Sequence, residues 1–80
     1  MSYFLVVYDR LHGTIVGEIE EFADQRDALR ERFATEAKFK HDPNIEVVVL
    51  GARSRADLES THARYFKTVT ELIDAARRHT

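Results

Sequence analysis

Three short stretches of the chain are rich in apolar, β-branched and aromatic residues, and apolar positions recur with a helical period over two longer ones. Tyr3–Asp9 is rich in aromatic and β-branched residues and predicts a strand; Thr14–Glu21, with Ile15, Val16 and Ile19 among glutamates, predicts its partner. Between them, Leu11-His12-Gly13 suits a three-residue hairpin loop with Gly13 in the left-handed position. That loop pairs Arg10 with Thr14 and Leu5 with Ile19, gathering Tyr3, Leu5, Val7, Ile15 and Ile19 on one face. A four-residue loop would mix apolar and acidic residues on both faces, so the shorter loop is preferred.

Asp24 reads as the N-cap of a helix running to about Lys40, with Leu29, Phe33 and Ala37 as its inner stripe and Phe39 pointing away from it. His41-Asp42-Pro43-Asn44 ends that helix, because a residue before proline avoids the helical region. Ile45–Leu50 predicts the third strand, closed by Gly51. Ser54 with Asp57 resembles a capping box for a last helix over Arg55–Arg78, with Leu58, Tyr65, Val69, Leu72, Ile73 and Ala76 as its stripe. At about 1.5 Å per residue it would be longer than the sheet is tall and would overhang it.

The elements give an α+β fold: a ββαβα two-layer sandwich with a three-stranded, mainly antiparallel sheet of order 2-1-3 and two helices on one face. This is half a ferredoxin-like arrangement; the alternative order is 1-2-3. Eighty residues enclose one core, so residues 1–80 form a single small domain. With both helices on one face, the other would carry Phe4, Val6, Tyr8, Val16, Val48 and Leu50 among Glu18, Glu20 and Glu46. A monomer seldom leaves so large an apolar patch in water. An interface with a second copy or another protein is therefore expected there.

Composition narrows the function classes. The chain has no cysteine, which removes disulfides, thiol catalysis and cysteine-ligated metal centres, and with no signal-like segment suits a cytoplasmic protein. No stretch is apolar enough to predict a membrane span. Net charge is −2, with six basic and eight acidic groups in residues 1–40 and six of each in residues 41–80. This lacks the basic surplus of a protein that binds nucleic acid through phosphates.

Candidate chemistry is sparse. His62 falls within the apolar stripe of the last helix beside Arg64 and Tyr65, which makes it a candidate base or pH-sensitive contact. Arg53, Arg55, Arg64 and Lys67 form a possible basic patch diluted by Asp57 and Glu59. His12, His41 and Asp42 lack a metal-ligand spacing, and no phosphate-binding loop or nucleophile elbow occurs, so neither metal nor cofactor is expected. Tyr3–Asp9 resembles, over seven residues, the first strand of small ferredoxin-like CRISPR adaptation subunits. A helix follows the strand there and a hairpin here, so no activity is carried over and Asp9 reads as a turn residue. The function expected is a non-catalytic interaction module that self-associates or docks a protein through the sheet face or the long last helix. The alternative is a nucleic-acid-binding module using the four basic residues; a small enzyme using His62 with Tyr65 and Asp9 stands third.

Overall fold

The structure is a computed structural model that describes residues 1–66. Its central strand, β1 (Ser2–Asp9), is apolar on both sides, and Phe4, Leu5 and Val6 are all buried in succession. Burial of consecutive strand residues means that both faces of the sheet are covered. On one side β1 pairs antiparallel with β2 (Thr14–Ile15) and β3 (Glu20–Phe22); on the other it pairs antiparallel with β4 (Ile45–Ala52) along its whole length. The α+β class and the expected order hold, with the expected second strand divided into β2 and β3.

That division corrects the hairpin register. Asp9 faces Thr14 and Tyr8 faces Ile15, so the loop has four residues, Arg10–Gly13. The Asp9 carboxylate accepts the backbone N–H groups of Leu11 at 2.9 Å and His12 at 3.2 Å, and the Asp9 carbonyl accepts that of Gly13 at 2.8 Å. A side chain that organises its own turn favours this loop over the shorter one. From Tyr8/Ile15 to Leu5/Glu20 the central strand advances three residues while its neighbour advances five. Gly17, at φ +69°, lies where the extra residues are taken up. Ile15 consequently shares the face of Tyr8, and Ile19 packs toward Phe4, Ala52 and Leu58. The mixing of faces that counted against a four-residue loop is resolved by this break in the strand.

The first helix, α1 (Gln25–Lys38), starts at Asp24, whose side chain accepts the Arg26 N–H at 2.8 Å. Its inward residues are Ala28 and Thr35, not the expected Leu29, Phe33 and Ala37. Small side chains let the helix approach Leu5 and Val7 closely, and the Thr35 hydroxyl is satisfied by the Glu31 carbonyl at 2.8 Å. Phe33 is left 66% exposed, whereas Phe39, the C-cap, is half-buried.

The last helix is also shorter than expected within the described chain. Helix α2 (Arg55–Thr61) begins at Ser54, whose hydroxyl accepts the Asp57 N–H at 3.1 Å; Asp57 in return accepts the Arg53 N–H at 3.0 Å. The reciprocal cap is present, with aspartate reaching one residue further back than glutamate would. The helix stops at His62 (φ −122°, ψ 46°) and continues as a 3-10 turn, Ala63–Tyr65. The Thr61 hydroxyl donates back to the Asp57 carbonyl at 2.8 Å, a bond typical of residues that weaken helix interiors. Val69, Leu72, Ile73 and Ala76 lie outside the described residues.

The two helices cover opposite faces, although both were expected on one. Leu58 is fully buried against Phe4 and Ala52, with Leu50 and Phe66 around them, while α1 lies over Leu5, Val7 and Val47. Phe4 and Leu5 are neighbours on one strand and point to opposite faces. A strand as apolar on both sides as β1 has two surfaces to bury, and one helix on each achieves that.

Candidate functional site

The expected sheet-face interface is occupied by the chain itself. Phe4 and Val6 are 2% and 0% exposed, and Tyr8, Val48 and Leu50 are half-buried. Val16, expected beside them, pairs with Val7 through its N–H at 2.8 Å and turns to the opposite face, because the four-residue loop shifts the register by one. Tyr65 meets Tyr8 edge to face, with ring centroids 5.1 Å apart. This face cannot receive a partner at Phe4 without displacing Leu58 and α2.

Of the residues singled out on the last helix, Arg64 and Tyr65 form a polar clasp with Glu46. One Arg64 nitrogen donates to both Glu46 carboxylate oxygens, at 3.0 and 2.6 Å, and to the Tyr65 hydroxyl at 2.8 Å. The Arg64 guanidinium also lies 4.4 Å from the Tyr65 ring centroid. Its pKa is raised, first by the hydrogen bond to Tyr65 and also by Glu46. Burial raises the pKa of the Tyr65 phenol, against the opposing pull of Arg64. The clasp fastens the 3-10 turn to the start of β4. His62, half-buried, is the cap where α2 ends and lies off any helical stripe.

Asp9 is engaged elsewhere. Its second carboxylate oxygen lies 2.6 Å from His12 Nδ1, and that hydrogen bond is the main reason its pKa is lowered. Asp9 therefore pairs with His12 in the hairpin loop, not with His62 or Tyr65. The basic patch is divided as well. Arg55 lies 3.9 Å from Glu59 and over the Phe66 ring, and Arg64 is bound to Glu46; Lys67 lies outside the described residues. Among the described residues, no group of three or more histidine or acidic side chains is placed to hold a metal ion. Among them too, no helix is long and apolar enough to cross a membrane.

What sequence reasoning missed is the outer edge of β4. Bonded and non-bonded residue pairs alternate along an antiparallel ladder. The Arg10 N–H donates to the Asn44 carbonyl at 2.8 Å, in register with the β1–β4 pairing. Glu46, Val48 and Leu50 therefore exchange backbone bonds with β1. Val47, Val49 and Gly51 turn their N–H and C=O groups the other way, and among the described residues no strand pairs there. The opposite edge is blunted by strands of two and three residues, by the break at Gly17 and by Glu18, Glu20 and Glu21. The β4 edge runs for eight residues, Ile-Glu-Val-Val-Val-Leu-Gly-Ala, with no proline or lysine, and its one charge is held by Arg64.

Beside this edge lies an open cleft of about 670 Å³, floored by Phe33, Phe39, Ile45 and Val47 and bordered by Arg10 and Lys40. Phe33 thus stands on the β4 side of α1, so the edge left unpaired among the described residues and the exposed ring belong to one surface. The signal legible beforehand was the run of four consecutive apolar residues, Val47 to Leu50, in a strand placed at a sheet edge. No protein family, curated protein sequence or solved structure matches this chain.

Proposed function

We propose that this chain is a non-catalytic protein-interaction module, working in the cytoplasm, that binds by adding a strand to the outer edge of β4. One observation carries the reading: Val47, Val49 and Gly51 present backbone donors and acceptors along an eight-residue apolar edge that lacks the usual protections. A strand docking there gains main-chain hydrogen bonds, and the neighbouring cleft with Phe33 supplies apolar contact and selectivity. The site originally expected on the sheet face thus moves to the sheet edge, while the class of function stays the same. The nucleic-acid reading draws less support, because Arg55 and Arg64 already face carboxylates.

The experiment is Val49→Pro. The Val49 N–H points outward, so proline there removes an edge donor and leaves the β1–β4 ladder intact. The variant should keep its circular dichroism spectrum and lose strand-dependent association, read with a synthetic peptide of the Ile45–Ala52 sequence as probe. Undiminished peptide binding by a folded Val49→Pro protein would contradict the reading.

A further inference from the structure

The structure points, we infer, to a second copy of this chain as the occupant of the β4 edge, paired antiparallel about a two-fold axis at Val48. This rests on the edge-binding reading above and names its partner.

Symmetry restricts the possibilities. A two-fold axis perpendicular to the sheet keeps each face on its own side, and directly opposed residues must share a face. With Val48 on the axis, Val47 of each copy lies opposite Val49 of the other. These are residues whose N–H and C=O groups point outward, so they can exchange backbone bonds. Glu46 then lies opposite Leu50, so the one charge on β4 meets an apolar residue and never its own copy. An edge that pairs with itself without a like-charge clash is self-complementary.

Helix α1 supplies an independent argument. Lys40 and Ile45 line the same cleft. Phe33 lines it as well, together with Val47, the neighbour of Val48 on β4. The exposed Phe33, on the β4 side of α1, therefore stands beside the part of the strand that holds the proposed axis. The same rotation sets the two α1 helices side by side and brings the two Phe33 rings toward each other over the joined sheet. The residue that packing within one chain leaves 66% exposed acquires a partner in two.

The chain contains no cysteine, so single cysteines report the register directly. Opposed residues of a non-bonded antiparallel pair have Cα atoms about 4.5 Å apart, within disulfide range. Val48→Cys should therefore cross-link two copies under mild oxidation. Leu50→Cys sits about 13 Å along the strand from its counterpart and should not. The unaltered chain should sediment at twice its 9.3 kDa mass, and Phe33→Ser should weaken the dimer at least tenfold while remaining folded. A monomer at every concentration, or equal cross-linking of the two cysteine variants, would overturn this inference. If the monomer nonetheless binds the Ile45–Ala52 peptide with slowed exchange at the Val47 and Val49 amides, edge binding stands and the second copy alone is wrong. If the peptide leaves those amides unchanged, both fail.

Discussion

Tyr8 and Tyr65 meet edge to face at 86°, joining the central strand to the 3-10 turn that follows α2. Aromatic pairs in this geometry contribute about 0.5–1.5 kcal/mol beyond their buried area. A double-mutant cycle with Tyr8→Leu and Tyr65→Leu should return a coupling energy in that range. Tyr65→Phe keeps the ring contact and loses the bond to Arg64, so its cost should be about 0.5–1.5 kcal/mol by urea denaturation. Additive effects of the two leucine variants would show that the rings do not hold the turn.

Leu58 carries most of the packing between α2 and the sheet. It is fully buried against Phe4 and Ala52, so Leu58→Ala should cost about 2–5 kcal/mol. For a domain of this size that is a large share of total stability. Chemical denaturation should show a lowered midpoint, and a loss under about 1 kcal/mol would contradict the packing described.

Gly17 separates backbone strain from steric clash. A Cβ there would meet nothing within 4 Å, yet its φ is +69°. Gly17→Ala should therefore destabilise by about 1–2 kcal/mol through the left-handed backbone alone, and Gly17→Asn should cost less. Equal stabilities of the alanine variant and the native chain would mean that the break between β2 and β3 does not need this conformation.

Asp9 gives a pH signature. Its pKa is lowered from 3.8, chiefly by the hydrogen bond from His12. Since the folded value lies below the unfolded one, its contribution is present above pH 3.8 and is lost as pH falls through the folded value. Carboxyl NMR titration should find a midpoint below 3.8, and His12→Ala should move it upward. A midpoint unchanged by that substitution would remove His12 as the cause.

Much of this fold was legible because local signals and packing agreed. Asp24 and Ser54 cap the helices expected of them, and β1 is central because it is apolar on both sides. The same two-sidedness implied two covered faces, but the face holding Phe4 and Val6 was read as open because both helices were assigned to the other. Spacing alone also misdirected the reading of α1: Leu29, Phe33 and Ala37 have helical periodicity, yet Ala28 and Thr35 face the sheet because they allow closer approach. The hairpin register depended on Asp9 acting as a turn acceptor and on the conformation of Gly17, neither visible in an alternation of apolar and polar residues. The edge position of β4 was legible, since the order 2-1-3 sets that strand at the side of the sheet. Which of its backbone groups face outward was not, because that depends on the register of β4 against β1.

Amide hydrogen exchange along β4, measured across protein concentration, tests strand addition most directly. Val48 and Leu50 should be protected throughout by their bonds to β1, while Val47 and Val49 should become protected as concentration rises. Rapid exchange at Val47 and Val49 at every concentration, unaltered by the Ile45–Ala52 peptide, would contradict the account.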